Sequence, residues 1–189
     1  MSDLEARLVA ILRRAPGLMR VMAVARDLAL PDWLIFSGAI YQPAWNHLTG
    51  RPLEYGVKDY DLGYFDGADT SWEAEDIVIR RVAAAFDPPL REMVEVRNQA
   101  RVHLWFQAKF GEPYAPLART AEALARFTSP AFAVGARLEA DGSLAIVAQF
   151  GLADLFAMRL APNPLRPSAG FARTAAAARQ RWPEVVVEG

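Results

Sequence analysis

Apolar residues recur at intervals of three and four near the start of the chain, in residues 3–14 and again in residues 18–30. This spacing predicts two amphipathic helices, separated by the break at Ala15-Pro16-Gly17. The next run, residues 33–36, is apolar throughout and too short to classify by its period. It leads into Ser37-Gly38, which we interpret as a turn that opens a third helix.

The middle of the chain alternates between helical and strand patterns. Residues 39–48 are predicted to form the third helix and residues 58–65 a strand. Thr70 is predicted to cap the next helix. Residues 90–96 alternate like a second strand, and residues 98–110 are predicted to be helical. Strands that alternate with helices indicate an α/β (α+β) fold.

The last third contributes further elements. Residues 132–138 and 144–149 flank Asp141-Gly142, which is a strong signal for a β-hairpin. An alanine-rich helix is predicted at residues 171–181, followed by a terminal strand at residues 185–187. The fold is therefore expected to carry additional strands toward its C-terminus.

Carboxylates on the strand at residues 58–65 give the first indication of chemistry. Asp59 and Asp61 are two residues apart, so on a strand they share one face. Two carboxylates this close repel each other unless a cation lies between them, and Mg²⁺ is commonly held by one or two carboxylates and substrate phosphates. Just upstream, Ser37 and Gly38 at a helix start could hold a phosphate. This layout indicates a metal-dependent phosphoryl- or nucleotidyl-transfer site.

Glu95 is a third candidate, because it lies between Val94 and Val96 on a strand expected to be buried, with Arg97 on the same face. It could complete the metal site, or it could only pair with Arg97, since a buried charge needs a partner. Arg97 and Arg101 could bind phosphates as bidentate donors or only neutralise Glu95.

Composition excludes several classes of function. The chain has 189 residues, 53% of them hydrophobic, enough for one domain with a substantial core. Its net charge of −1 gives no strong signal for nucleic-acid binding. The absence of cysteine excludes disulfides and thiol catalysis. Neither a signal peptide nor a membrane span is visible, so we expect a cytoplasmic protein that binds no membrane.

Four stretches resemble a known family: residues 37–42 (SGAIYQ), residues 57–61 (VKDYD), residues 97–103 (RNQARVH) and the closing Trp182-Pro183. They resemble the nucleotidyltransferase superfamily, which has the polymerase-beta-type fold. More closely, they are similar to a bacterial group of nucleotidyltransferase-like proteins with no assigned substrate. The resemblance implies a mixed β-sheet packed by helices. It also implies one domain with N-terminal helices (1–32), a core with the metal site (33–110) and a C-terminal extension (111–189).

The resemblance also implies roles for individual residues. Asp59, Asp61 and Glu95 would be the catalytic carboxylates and the ligands of Mg²⁺ or Mn²⁺. The nucleoside triphosphate would contact Ser37, Gly38, Arg97 and Arg101, and an acceptor of unknown identity would receive the nucleotidyl group. Two departures stand out: the family more often has Gly before Ser, and Asp as the third carboxylate.

Two rival interpretations stay open. The first is a catalytically inactive binding or regulatory module of the same fold. The second is a phosphatase built on the Asp-x-Asp pair, which is weakened because the pair follows several elements and no later Lys with paired Asp appears.

Overall fold

The structure is a computed structural model that describes residues 2–188. Its helices are α1 (Asp3–Leu12), α2 (Pro16–Asp27), α3 (Gly38–Leu48), α4 (Trp72–Ala83), α5 (Leu90–Met93), α6 (Phe106–Phe110), α7 (Ala153–Phe156) and α8 (Phe171–Arg181). Its strands are β1 (Leu34–Phe36), β2 (Tyr60–Tyr64), β3 (Val94–Asn98), β4 (Val134–Leu138), β5 (Leu144–Ala148), β6 (Arg159–Leu160) and β7 (Val186–Val187). Short 3₁₀ turns occupy Val102–Leu104, Thr120–Arg126 and Pro130–Phe132. Within residues 2–188, no helix is both long enough and apolar enough to cross a lipid bilayer.

Five strands form one mixed sheet in the order β3-β2-β1-β4-β5. The β2–β3 pair is parallel, and the other three pairs are antiparallel. The run at residues 33–36, which its period left unclassified, supplies the central strand β1, and all three residues of β1 are buried. A short apolar run is typical of a strand covered on both faces. The expected α/β architecture with a mixed sheet and additional C-terminal strands is confirmed.

The two faces of the sheet are packed differently. One face meets helices α1 to α4 in the main core, to which β2 and β3 contribute Tyr60, Leu62 and Val96. On the opposite face, Leu34 and Phe36 pack with the segment that contains Leu117 and Leu124. Ala123 and Arg126 of that segment line a cavity together with Asp61 and Glu95.

Several predicted elements match the structure closely. The helix predicted at residues 171–181 is α8, and the predicted hairpin is β4 and β5, with Gly142 at a φ of +81° in its turn. Since β4 pairs directly with β1, this hairpin belongs to the central sheet. The terminal strand is β7, which pairs in parallel with β6 in a separate two-stranded sheet.

Two predicted elements and one predicted helix cap are partly wrong. Residues 90–93 form the helical turn α5, so the strand β3 begins only at Val94. The helix predicted from residue 98 is broken, because the buried Asn98 holds the chain in a turn: its side-chain oxygen accepts hydrogen bonds from the amides of Asp66 and Ala100. The cap of α4 is also one residue later than predicted. Ser71 accepts the hydrogen bond from Ala74, in place of Thr70.

Candidate active site

The parallel pairing of β2 and β3 places Asp61 directly beside Glu95. Their neighbours in the register, Leu62 and Val96, are buried in the core behind the sheet. Because side chains alternate along a strand, both carboxylates point away from that core, and Asp59, one residue before β2, falls on the same side. The structure therefore places Asp61 and Glu95 side by side, with Asp59 near enough for its charge to act on Asp61.

The charges around Asp61 are predominantly negative. Burial within the cleft, together with the carboxylates of Asp59 and Glu95, raises the pKa of Asp61 to about 6, against the opposing charge of Arg97. The carboxylate itself still reaches solvent, so water screens part of this repulsion. An excess of negative charge at a solvent-accessible cleft suits a bound cation, and carboxylate oxygens are the ligands that Mg²⁺ prefers.

Glu95 and Arg97 are more exposed than the alternation of Glu95 with Val94 and Val96 predicted. Their side chains are 55% and 43% exposed, and the Arg97 Nη2 lies 3.8 Å from the Glu95 Oε2. The expectation of a buried strand is right for the valine face. It is wrong for the face that carries Glu95 and Arg97, because that face lines a cavity. An exposed ion pair of this kind contributes little to stability, so Glu95 is free to change partners.

Ser37 connects β1 to α3 in a strained conformation. Its φ is +43° and its ψ is −99°, a region that favours glycine, although the residue is a buried serine. Its hydroxyl makes no capping hydrogen bond to the helix. Gly38 then begins an eleven-residue helix. The N–H groups of Ile40 and Tyr41 donate to the Ser37 carbonyl, which leaves those of Gly38 and Ala39 as the donors at the helix start. Backbone strain beside unpaired donors is typical of a phosphate-binding turn.

Gly63, two residues after Asp61, leaves room for the ring of Phe36. A Cβ at Gly63 would lie 2.2 Å from Cε2 of that ring, which is shorter than any real contact. The missing side chain lets the Phe36 ring lie across the floor of the cleft next to the carboxylates.

Two adjoining cavities open beside the carboxylates. We call the larger, of about 660 Å³, the arginine-rich pocket. Its lining includes Ser37, Tyr41, Gln42, Glu112, Arg126, Arg166, Arg173 and Arg181. We call the smaller, of about 350 Å³, the aromatic pocket. Its lining includes Phe36, Asp61, Glu95, Arg97, Trp105, Phe106, Phe110, Tyr114, Arg126 and Phe127. The two pockets share Phe106, Phe110, Arg126 and Phe127, so they adjoin along a common wall.

Arg101, the remaining predicted nucleotide contact, has a different partner. It forms an ion pair with Glu75, and the two side chains are 12% and 1% exposed. Glu75 also accepts a hydrogen bond from the backbone N–H of Asn98 at 2.7 Å. Arg101 lines neither pocket, so the structure places it in the anchor between α4 and β3, apart from the other predicted site residues.

Sequence reasoning missed several residues that line the arginine-rich pocket. Burial is the main reason that the pKa of Tyr41 is raised to about 12. A hydrogen bond with Gln42 and the charge of Arg181 oppose the rise, and the charges of Asp59 and Asp61 add to it. The side-chain oxygen of Gln42 is buried and has no hydrogen-bond partner. Arg173 and Arg181 belong to α8, whose position only the tertiary structure gives. Tyr41 and Gln42 were within the family-like stretch at residues 37–42, which was the available signal.

Among residues 2–188, no three His, Asp or Glu side chains lie close enough together to hold one metal ion between them. The three carboxylates share one end of the sheet without forming a compact triad. Their predicted role as metal ligands stays a prediction.

Comparison with known proteins identifies the family and the fold of the chain. A family model described as nucleotidyltransferase matches residues 23–187, and the chain belongs to this nucleotidyltransferase family. The chain is also similar to a structure solved by NMR and described as a CCA-adding enzyme head domain, with a TM-score of 0.77 and 19% sequence identity. That similarity covers 96% of this chain and 94% of the other, and it shows a shared fold. No curated protein matches the chain.

Proposed function

We propose that this protein transfers a nucleoside monophosphate group from a nucleoside triphosphate to a hydroxyl acceptor. The observation that carries the proposal is the in-register pair Asp61 and Glu95, which lines the aromatic pocket next to the arginine-rich pocket. Family membership supports nucleotidyl transfer as the class of reaction.

The triphosphate would occupy the arginine-rich pocket. Four arginines line this pocket against one glutamate, Glu112, which already pairs with Arg166. Guanidinium groups bind phosphate oxygens through paired hydrogen bonds. At the inner end, the hydroxyl of Ser37 and the first N–H groups of α3 would bind the β- and γ-phosphates.

Gln42 would position the nucleotide in the same pocket. Its unpartnered oxygen can accept a hydrogen bond from a ribose hydroxyl or from an amino group of the base, and an unpaired buried acceptor is costly until a ligand satisfies it.

Carboxylate oxygens are the ligands that Mg²⁺ and Mn²⁺ prefer, and the neighbouring Asp61 and Glu95 would hold the ion. Asp59 would have to move closer to join them, and the bound ion would neutralise charge on the phosphates. In the reaction, the acceptor oxygen attacks the α-phosphorus and a new O–P bond forms. The bond from the α-phosphorus to the bridging oxygen breaks, and pyrophosphate leaves with the electron pair. The proton of the acceptor passes to the Glu95 carboxylate, which is exposed enough to reach it.

Thermal stability measured with and without nucleotide tests the binding step. A nucleoside triphosphate with Mg²⁺ should raise the melting temperature, because binding to the folded state adds about 2.7 kcal/mol at about one hundred times the Kd. Asp61→Asn should abolish this shift. Asp87→Asn, which changes an exposed carboxylate outside both pockets, is the matched control and should keep the shift. An unchanged shift in Asp61→Asn would contradict the proposed site.

A nucleotide-binding module without transfer activity is the second candidate. The absence of a compact carboxylate triad within residues 2–188 favours it. Transfer from NTP labelled at the α-phosphate to a pool of small-molecule, protein and nucleic-acid acceptors separates the two candidates. Labelled product that falls roughly 10²–10⁴-fold in Glu95→Gln supports the enzyme. Binding without any product in the wild type supports the module.

A further inference from the structure

We infer that the aromatic pocket is the acceptor site and that the acceptor is a small, uncharged aromatic alcohol. The inference rests on the proposed function and adds the chemical class of the second substrate.

The positions of the catalytic groups indicate which substrate each of the two pockets would bind. Glu95, which takes the acceptor proton, lines the aromatic pocket and not the arginine-rich one. Ser37 has the opposite placement: it lines only the arginine-rich pocket. A triphosphate held at Ser37 and an acceptor hydroxyl delivered to Glu95 must therefore approach from different pockets. Because the two pockets share four lining residues, the two substrates would lie in neighbouring spaces.

The lining of the smaller pocket favours a flat ring. Six aromatic side chains face it: Phe36, Trp105, Phe106, Phe110, Tyr114 and Phe127. Phe106 lies 4.7 Å from Phe110 and 4.6 Å from Tyr114 between ring centroids, so the rings form a continuous apolar wall. Phe110 is nevertheless 52% exposed, which leaves ring surface uncovered. Aromatic walls of this kind bind flat ligands by stacking and by burial of apolar area.

The charges and the size of the aromatic pocket restrict the chemical class of the acceptor further. Asp61 and Glu95 place negative charge at the end of the pocket where the metal ion would lie, and Arg97 and Arg126 add two positive charges to its lining. The formal charges of the lining therefore cancel over the whole pocket, which favours an uncharged acceptor. Its volume of about 350 Å³ lies at the small end of ligand pockets and suits a one- or two-ring compound with a short hydroxyl arm. The adjacent pocket, with four arginines and one glutamate, would take the charged substrate.

Ligand-observed NMR with tryptophol as the probe tests the assignment. Cyclohexylmethanol, which lacks the aromatic ring, and tryptamine, which is cationic, are the matched ligand controls. Trp105 lines only the aromatic pocket, so Trp105→Ala should weaken tryptophol binding by about tenfold, the order expected for losing one stacked ring. Trp72→Ala removes an equally large but 53% exposed ring outside both pockets and should change nothing. Tyr114→Leu, which keeps most of the apolar volume, repeats the test if Trp105→Ala does not fold.

The melting-temperature shift caused by NTP and Mg²⁺ is measured on the same variants. Weaker tryptophol binding with an unchanged NTP shift in Trp105→Ala, and NMP transfer to tryptophol by the wild type, support the inference. A reduced NTP shift with unchanged tryptophol binding would identify the pocket as the nucleobase site. That result overturns the acceptor assignment and leaves nucleotidyl transfer standing. Equal binding of cyclohexylmethanol or tryptamine, or transfer only to an oligonucleotide end, also overturns it. Tryptophol binding in a wild type with no NTP shift overturns both proposals.

Discussion

Replacing Asp61 with asparagine should stabilise the metal-free protein, although it removes a proposed ligand. The folded-state pKa of Asp61 is raised to about 6 from the ordinary 3.8, because burial and the charges of Asp59 and Glu95 disfavour its ionised form. A group whose pKa is raised by folding holds its proton more tightly in the folded state. It therefore contributes stability below pH 3.8, and that contribution is lost as pH rises through about 6.

The pKa values set the size of the effect. A difference of about two pH units corresponds to about 3 kcal/mol at about 1.4 kcal/mol per unit. Since the Asp61 carboxylate reaches solvent, screening reduces this, and we expect about 1 kcal/mol. Asparagine keeps the size of the side chain and carries no charge, so Asp61→Asn should be more stable than the wild type by about 1 kcal/mol at pH 8. The difference should vanish near pH 4.

Urea denaturation in EDTA at several pH values between 4 and 8 measures this difference, with Asp87→Asn as the control for a lost exposed charge. Addition of Mg²⁺ and NTP should then make the wild type more stable than Asp61→Asn, because only the wild type gains binding energy. A variant no more stable than the wild type at pH 8, or one equally stabilised at every pH, would refute the proposed charge crowding.

Three further substitutions test other parts of the site by urea denaturation. Ser37→Gly should raise the free energy of unfolding by about 1 kcal/mol, because glycine adopts the positive φ without strain. A lower free energy of unfolding in this variant would show that Ser37 is not strained. Gly63→Ala should lower it by about 1–3 kcal/mol because the new Cβ overlaps the Phe36 ring, and a neutral effect would show that the ring moves aside. Glu75→Gln should cost about 3–5 kcal/mol by leaving Arg101 buried without its counter-charge, whereas a cost under about 1 kcal/mol would mean that the pair is solvated.

The sequence by itself determined the local elements that periodicity or turn chemistry specifies. The hairpin followed from Asp141-Gly142 and the helix α8 from its alanine-rich pattern, because both are set by contacts between residues close in the chain. The alternation of Glu95 with its two valine neighbours also predicted correctly which side of β3 enters the core. The spacing of Asp59 and Asp61 indicated a shared face for the same reason.

Only the tertiary structure decided what surrounds those residues. The parallel register of β2 and β3, which sets Asp61 beside Glu95, depends on a pairing between segments more than thirty residues apart. The run at residues 33–36 carries no period of its own, and its place as the central strand comes from β2 and β4 on either side. Arg101 shows most clearly what the sequence alone could not predict. Its charge suited a phosphate in the sequence, but the fold places it against Glu75, and long-range packing alone determines which partner a charged side chain meets.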